Sequence, residues 1–377
     1  MLDFIVLTNG YPSETKLYNN AFIHSRVKMY SDLGYNGCVI VIGKINQSHS
    51  YIFEGVTVKE LTQKDAEKFL DSNRNAKIFI HFINKKILDC LLAVNIHTNI
   101  FVWIHGVEAL SWKRRLFNYK FGLISTLKFL KYIFINVMQM KFMKKLLRIN
   151  LEIHYIFVSE WMKNILEIDT NSKIPNTKYS IIPNVVDEKL FIFKVKDVNL
   201  RYKILSIRTY SNKKYANDIT IDIILELSKK EYFNQLEFHL YGDGALFDKL
   251  TNKIKHFHNV SINKTFLTTN QIIEAHSKNG IFLCPTRQDA QGVSMCEAMA
   301  SGLVPITSNN TAIPEFVNIK SLLCDSMSEY ISAFEELILN PEFFAECSMQ
   351  VSKYINKKCG SHVISNELDI IKFKGVL

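Results

Sequence analysis

Short apolar runs rich in β-branched residues alternate along this chain with longer amphipathic stretches, and the alternation starts afresh after Val198. Strand-like runs separated by helix-like stretches are typical of a parallel sheet that is covered by helices on both faces. Two such series predict two doubly wound, Rossmann-like α/β domains, for which 377 residues suffice. The predicted strands are residues 2–8, 37–42, 56–60, 77–82, 99–104, 154–158, 179–183, 202–207, 236–241, 259–262, 280–284, 303–307 and 321–324.

The boundary between the two domains is expected within residues 184–199, after a strand-like run that ends at Pro183. An N-terminal domain of residues 1–190 would then precede a C-terminal domain of residues 197–355. Ligands of doubly wound sheets bind beyond the carboxyl ends of the strands. Two such domains that face each other across a cleft would therefore hold a ligand between them.

Composition excludes several classes of protein. With 47% hydrophobic and 22% charged residues, the chain is neither disordered nor collagen-like. Its seven cysteines form no C-x-x-C pair, which predicts reduced, buried thiols and a cytoplasmic location. The first residues lack the features of a signal peptide, and no apolar run reaches the length of a membrane span.

The basic segment, residues 109–151, differs from the rest of the chain. It contains ten basic and no acidic residues, with aromatic residues interleaved, and residues 127–143 are predicted to be helical. Such a segment fits an anionic membrane surface, which would place the protein at the inner face of the cell membrane. Two ordinary helices with a solvated basic face are the alternative, and no recognised motif accompanies the charge to indicate nucleic acid.

The most informative stretch begins with the buried strand that ends at Pro285 and continues through a polar loop into a helix. Asp289 lies in the loop, Glu297 lies on the helix, and seven residues separate them. The first amides of a helix form an anion site, and carboxylates accept hydrogen bonds from hydroxyls. The stretch therefore suits a ligand with both hydroxyls and phosphates, although Asp289 could equally be a helix cap. The amides in question belong to Gly292, Val293 and Ser294.

This stretch resembles the retaining glycosyltransferases of family 4, which have the GT-B fold. The resemblance rests on an acid, seven residues and Glu-Ala-Met-Ala-Ser-Gly, followed by Pro-Glu-Phe-Val. Asp289 takes the place of the family's first glutamate, and Thr311 and Ala312 take the place of two common glycines. Further similar pieces occur in the family's order at residues 9–14, 102–106, 157–160, 182–187, 206–208 with 213–214, and 240–244.

The resemblance implies a role for each matching residue. Arg208 and Lys214, with Lys213 as the alternative lysine, would grip the donor diphosphate. Fixed cations at this place would stabilise a leaving group that gains negative charge. Glu297 would accept hydrogen bonds from the ribose hydroxyls, and Asp289 would orient the hydroxyls of the sugar.

Four more positions belong to the implied donor site. His105 would face the donor sugar from the N-terminal domain; His81, at another strand end, is a weaker candidate. Gly10 would allow the backbone to approach the phosphate, and Gly242 and Gly244 would shape a turn at the nucleobase, although a plain turn explains these two equally well.

The resemblance implies a retaining glycosyltransferase that needs no cofactor beyond its nucleotide-sugar substrate, and the spacing of its acidic residues predicts that it is metal-independent. The basic segment together with the resemblance implies that the acceptor is a hydroxyl of a growing surface glycan, on its own or on a lipid carrier. The resemblance also implies that residues 356–377 cross back onto the N-terminal domain. The alternatives are a GT-B sugar-nucleotide epimerase and a non-catalytic protein that binds anionic glycans or nucleic acid. No His, Cys, Asp or Glu cluster has the spacing of metal ligands, so no metal site is predicted.

Overall fold

A computed structural model describes residues 1–16, 19–43 and 45–373 of the chain. The chain divides into two compact units: unit 1 comprises Met1–Val185 and the segment from His362 onward, and unit 2 comprises Val186–Ser361. The division after Val185 lies inside the stretch where a boundary is predicted, five residues before the expected end at residue 190.

Unit 1 contains a sheet of eight strands in the order β3-β4-β2-β1-β5-β6-β7-β8. All neighbours run parallel except β3 and β4. Strands β1, β6 and β7 are buried along their whole length, as expected for strands covered on both faces. The strands are β1 (Phe4–Thr8), β2 (Gly37–Ile42), β3 (His49–Phe53), β4 (Val56–Leu61), β5 (Lys77–His81), β6 (Ile100–Ile104), β7 (Ile153–Phe157) and β8 (Tyr179–Ile181).

Strand β3 has no counterpart among the predicted strands. It pairs antiparallel with β4 through a two-residue turn, Glu54 and Gly55, whose φ angles are 45° and 84°. Positive φ at both turn residues is the mark of the tight hairpin turn that matches strand twist. The Glu-Gly pair just before the strand-like run 56–60 was the sequence signal for this hairpin.

The described part of Met1–Val185 contains five α-helices. Helix α5 shows how sequence sets the boundaries: the Ser159 side chain caps it by accepting from the amide of Met162. The helices are α1 (Ala21–Asp32), α2 (Gln63–Asp71), α3 (Lys85–Ala93), α4 (Leu123–Leu146) and α5 (Glu160–Thr170).

Unit 2 repeats the architecture with a parallel sheet of six strands in the order β11-β10-β9-β12-β13-β14. Its strands are β9 (Lys203–Ile207), β10 (Glu237–Tyr241), β11 (Val260–Asn263), β12 (Ile281–Leu283), β13 (Val304–Ser308) and β14 (Leu323–Cys324). Its helices are α6 (Asn217–Leu227), α7 (Phe247–Thr251), α8 (Thr269–Lys278), α9 (Val293–Ala300), α10 (Met327–Leu339) and α11 (Pro341–Cys359). All thirteen predicted strands are present, and the prediction of two Rossmann-like domains is confirmed.

The last described helix, α12 (His362–Phe373), belongs to unit 1 and packs against α1. The segment that returns to unit 1 therefore starts at His362 and not at residue 356, because α11 continues through that point to Cys359. All seven cysteines are buried and unpaired. No helix among residues 1–16, 19–43 and 45–373 is long and apolar enough to cross a membrane.

Candidate functional site

The predicted donor site of unit 2 lies at the carboxyl edge of its sheet. Strands β9 and β12 are neighbours in that sheet. Arg208 comes directly after β9, and the loop that carries Asp289 comes after β12. Parallel neighbours place their following loops at the same edge, where ligands of such sheets bind.

Arg208 is a buried cation that has no carboxylate partner among the described residues. The residue is only 6% exposed, and its Nη2 donates to the carbonyl of Cys284 at 3.0 Å. Its Nε is buried and has no hydrogen-bond partner within the described part of the chain. A buried, uncompensated charge is costly, so this arrangement suits an anionic ligand that supplies the missing acceptor.

Tyr215 brings a second cation towards Arg208. The guanidinium carbon of Arg208 lies 5.6 Å from the centre of the Tyr215 ring, and Nζ of Lys214 lies 5.0 Å from the same centre. Lys213 makes its contact through the backbone, where its carbonyl accepts from Nη1 of Arg287 at 2.9 Å. Of the two predicted lysines, Lys214 is thus the one that shares a ring with Arg208.

Gly242 and Gly244 pack closely against the backbone of the loop that contains Arg208. A Cβ on Gly242 would lie 1.8 Å from the carbonyl oxygen of Arg208, and one on Gly244 would lie 2.4 Å from the amide nitrogen of Ser211. Both glycines have positive φ, at 151° and 143°. Only glycine permits this approach, so their observed role is to let the loop after β10 pack on the loop after β9. A contact with the nucleobase stays a prediction.

The Asp289 loop is tied to the loop after β13. The amide of Asp289 donates to the Thr311 hydroxyl at 3.1 Å, and the amide of Ala312 donates to the carbonyl of Asp289 at 3.3 Å. Thr311 has φ 52°, a conformation unusual for a β-branched residue. The geometry explains why glycine is common at this place in the family that the sequence resembles, and the hydroxyl bond compensates for the strain here.

Gly292 begins helix α9 with φ 79°, and a Cβ there would lie 3.1 Å from Cδ1 of Ile313. The predicted start of a helix after Gly292 is confirmed. The amides of Gly292, Val293 and Ser294 precede the first intrahelical hydrogen bonds, so helix geometry leaves them to bind other acceptors. Val293 and Ser294 are half-buried.

Glu297 lies on α9, five residues after Gly292. Glu297 is half-buried, and no described residue pairs with its carboxyl group. Burial raises the pKa of this carboxyl to about 7. A half-buried carboxyl group without a partner in the described part of the chain is suited to accept hydrogen bonds from ligand hydroxyls.

In unit 1, two histidines form a pair at the carboxyl ends of adjacent strands β5 and β6. His81 Nδ1 and His105 Nε2 lie 2.9 Å apart, and the rings stack at 5.2 Å between centres. Burial, aided by the nearby charge of Arg26, lowers the pKa of both groups well below the usual value. Both imidazoles are therefore neutral at physiological pH. His81, the weaker candidate of the sequence, proves to be the partner of His105.

The position of the shared proton follows from the orphan nitrogen of His81. His81 Nε2 is buried without a hydrogen-bond partner among the described residues. A buried N–H without a partner is rarer than a buried acceptor without one. We infer that His81 carries its proton on Nδ1 and donates it to Nε2 of His105. His105 then carries its own proton on Nδ1, and no described residue accepts a hydrogen bond from it.

Glu108 completes this group. Its Oε1 accepts from the backbone amide of His105 at 2.7 Å, whereas its Oε2 is buried without a partner among residues 1–16, 19–43 and 45–373. Burial raises the pKa of this carboxyl to about 7. The spacing His-Gly-x-Glu was the sequence signal for it, three residues after His105.

A buried ionic network lies behind the histidine pair and reaches the C-terminal helix. Glu367 on α12 accepts from Nε of Arg26 at 3.0 Å, from the Tyr30 hydroxyl at 2.5 Å and from Nε1 of Trp103 at 2.8 Å. Both charged side chains are fully buried. The Trp103 ring stacks on His81 at 4.8 Å. Sequence patterns gave no sign of this network, since 341 residues separate Arg26 from Glu367.

Gly10 follows β1 in unit 1. A Cβ there would lie 2.8 Å from Nδ2 of Asn19, so the close approach that Gly10 permits is to this side chain. The Asn20 side chain donates to the Gly10 carbonyl at 3.0 Å. Contact with a phosphate stays a prediction. Among the described residues no three His, Cys, Asp or Glu side chains are grouped so that they could hold a metal ion.

Comparisons with known proteins agree with this geometry. Residues 201–340, most of unit 2, match the family model described as "Glycosyl transferases group 1". No curated protein matches the chain at a significant level.

Solved structures share the fold of the whole chain. A glycosyltransferase from Rickettsia africae ESF-5 is 12% identical, with a TM-score of 0.65 over 99% of this chain and 98% of that one. The trehalose-6-phosphate synthase OtsA is 10% identical, with a TM-score of 0.69 over 98% and 99%. Both are GT-B proteins in fold, and so is this chain.

A third structure is a mutant of TarM from S. aureus in complex with fondaparinux, α-GlcNAc-glycerol and UDP. It is 16% identical to this chain, with a TM-score of 0.55 over 83% of this chain. The chain spans 59% of the length of TarM. The solved structures show the fold of this chain, and the family model adds a similarity of residues 201–340 to group 1 glycosyl transferases.

Proposed function

We propose that this protein is a retaining glycosyltransferase that moves a sugar from a nucleotide-diphosphate donor to a hydroxyl acceptor. The observation that carries the proposal is the buried Arg208, whose Nε lacks an acceptor among the described residues. It lies at the same sheet edge as the loop that leads into α9, and it shares the Tyr215 ring with Lys214. This arrangement suits a diphosphate and so supports the proposal.

In the proposed reaction, the bond between the anomeric carbon and the diphosphate oxygen breaks while a bond to the acceptor oxygen forms on the same face. The acceptor proton passes to the departing phosphate. Negative charge grows on the diphosphate as the bond breaks, so Arg208 and Lys214 stabilise the transition state more than the bound donor. These two cations neutralise the diphosphate without a metal, and no cofactor is needed.

The carboxyl groups and the histidine have separate tasks in this proposal. Glu297 accepts hydrogen bonds from the ribose, and Asp289 orients the hydroxyls of the transferred sugar. His105 donates from its Nδ1–H to a sugar oxygen. Its neutrality allows it to bind a hydroxyl without attracting the diphosphate.

The proposed acceptor is a glycan of the cell surface, built in the cytoplasm at the inner face of the membrane on a lipid carrier. The basic segment supports this, because its positive charge and exposed aromatic side chains suit an anionic membrane surface and not a neutral solute. Nucleic acid is not proposed as a partner.

A thermal-shift panel of UDP-, GDP-, ADP-, CMP- and TDP-sugars tests the proposal. A ligand at about 100 times its dissociation constant stabilises the folded state by about 2.7 kcal/mol, which shifts the melting temperature visibly. The donor found in this way is then used in a transfer assay. Arg208→Ala should abolish the shift and lower transfer about 10²- to 10³-fold.

Arg201→Ala is the matched control. Arg201 precedes strand β9, at the opposite edge of the sheet, and it donates to the carbonyl of Ile338 at 3.0 Å. Its loss should leave the donor shift in place. No shift with any nucleotide sugar, or equal loss in the two variants, would reject the proposal.

A further inference from the structure

Helix α4 (Leu123–Leu146) exposes an apolar face. Leu123, Leu127, Leu130, Phe134 and Val137 are spaced by four and three residues, which places them on one face. Their exposed fractions run from 80% at Leu123 to 37% at Val137. The flanking apolar residues on that side are exposed too, namely Ile124, Ile135 and Met138.

The opposite face of α4 is firmly attached to unit 1. Asn136 is buried: its Oδ1 accepts from the amide of Trp112 at 2.6 Å, and its Nδ2 donates to the carbonyl of Leu110 at 2.9 Å. Met143 and Leu146 are buried as well. The apolar outer face is therefore not the result of a loosely placed helix. A contiguous exposed apolar face of this kind normally marks a site of interaction.

Charge decides between the possible covers. The exposed side of α4 also carries Lys128, Lys131, Lys141 and Lys145, and residues 109–151 contain no acidic residue. A second copy that docked through the same face would set these lysines against their own counterparts, which is unfavourable. An anionic lipid surface supplies the opposite charge and an apolar interior together.

Residues before α4 extend the same surface. Phe121 is 93% exposed and lies beside Lys120, and Leu116 is 54% exposed beside Arg115. Apolar and basic side chains are thus interleaved along the approach to the helix. Long lysine side chains can lie along an apolar surface while their ammonium groups reach the phosphates of the headgroups.

We infer that the outer face of α4, with Phe121 beside it, docks this protein onto an anionic lipid bilayer, with the helix lying in the plane of the interface. Leu127, Leu130 and Phe134 enter the boundary between headgroups and acyl chains, and the four lysines contact lipid phosphates. This deepens the proposed function, on which it rests for the idea of a lipid-borne acceptor. The docking itself requires no catalysis.

Vesicle flotation tests the inference on the full-length protein. Vesicles of phosphatidylcholine with about one third phosphatidylglycerol should carry the wild type upward, and pure phosphatidylcholine should bind it at least about tenfold less. Phe134→Asp should weaken binding to the anionic vesicles by more than about tenfold, since it removes a large apolar side chain that the bilayer buries. Lys128→Glu with Lys131→Glu should do the same, and its effect should diminish in high salt.

Ile168→Asp provides the matched control. Ile168 lies on α5 of the same unit and is 66% exposed, close to the 68% of Phe134. Its substitution should leave vesicle binding unchanged. Absence of flotation with anionic vesicles, or equal loss in the two Asp variants, would overturn the inference. A wild-type dimer that Phe134→Asp dissociates, without vesicle binding, would instead give this face to a second copy.

The donor thermal shift separates this inference from the proposed function. Phe134→Asp should keep the shift of the wild type, which also shows that the variant folds. Flotation without any donor shift would leave the docking surface standing and reject the transfer reaction. A donor shift without flotation would do the reverse.

Discussion

The two units share one architecture, yet the carboxyl edges of their sheets carry different kinds of polar group. At the edge of unit 2, Arg208 is buried with an Nε that no described residue satisfies, and Lys214 approaches the same tyrosine ring. At the edge of unit 1, burial favours the neutral forms of His81 and His105 by lowering the pKa of each, and it raises the pKa of Glu108 to about 7. Unit 1 keeps the charges of Arg26 and Glu367 internal and paired.

The same fold thus carries an unsatisfied buried cation in unit 2 and buried neutral groups in unit 1, as far as the described residues go. Under the proposed function, the cation of unit 2 would bind the diphosphate. The neutral groups of unit 1 would bind hydroxyls without competing for the anion. The predictions below test each half of this division.

The largest effect is expected where unit 1 pairs its internal charges. Glu367→Ala leaves Arg26 buried and uncompensated and removes the acceptor of Tyr30 and Trp103. Breaking a buried pair in this way costs about 3–5 kcal/mol of unfolding free energy, measurable by urea denaturation. Asp32→Ala, which breaks a half-exposed pair with Lys28, should cost less than about 1 kcal/mol. Equal costs would mean that the buried network has no structural role.

The next effect concerns the unpaired charge of unit 2. Lys214→Ala should lower transfer about 10²-fold, because its ammonium lies over the ring that Arg208 also contacts. Lys213→Ala is its neighbour and control, and should change transfer less than about threefold. Steady-state kinetics with the identified donor would measure both. The reverse order would assign the diphosphate to Lys213.

A smaller effect should follow from Glu297, through pH. Burial raises the pKa of its carboxyl to about 7, so the group is protonated below that pH and a full acceptor above it. Donor affinity in the wild type should therefore fall as the pH drops through that value. Glu297→Gln should weaken binding about tenfold on the alkaline side and remove this dependence. Calorimetric titration about one pH unit to either side measures it, and an unchanged pH profile in the variant would argue against Glu297 as a ribose ligand.

The smallest effect should come from the loss of the hydrogen bond that His81 donates to His105. His81→Leu removes one hydrogen bond to Nε2 of His105, worth about 1.4 kcal/mol or a tenfold loss of kcat. His81→Asn places an amide donor near the former Nδ1 and should restore most of kcat. A purely structural role would give no such rescue, and equal kcat in the two variants would reject the tautomer inferred here.

Much of the fold was predictable because it depends on local patterns. Strand-like runs and helix-like periodicity repeat on the scale of a few residues, and thirteen strands were recognisable from them. Strand β3 was missed, since its half-exposed residues lack a continuous apolar run and its signal lies in the Glu54–Gly55 turn. The loop between Asp289 and α9 was predictable for the same reason. Gly292, which caps the helix, directly precedes it in the sequence.

Other parts of the candidate site depend on neighbours in space. Thr311 adopts positive φ and binds the amide of Asp289, and the sequence alone showed only that a glycine was missing there. That Lys214 shares the Tyr215 ring with Arg208 was visible only in the structure. The basic segment was visible by composition, but only the structure showed that the apolar face of α4 points away from unit 1.

By itself, the sequence determined the two doubly wound domains, the loop that joins Asp289 to helix α9, and the basic segment without acidic residues. Each of these depends on the hydrophobic period, the glycines or the charges of residues close together in the chain. Only the tertiary structure decided that His81 holds His105, that Glu367 secures the last described helix to Arg26, and that Arg208 lacks an acceptor among the described residues. Such pairings join residues far apart in the chain, and burial sets their charge states. Burial is a property of the packed molecule, which no local pattern contains.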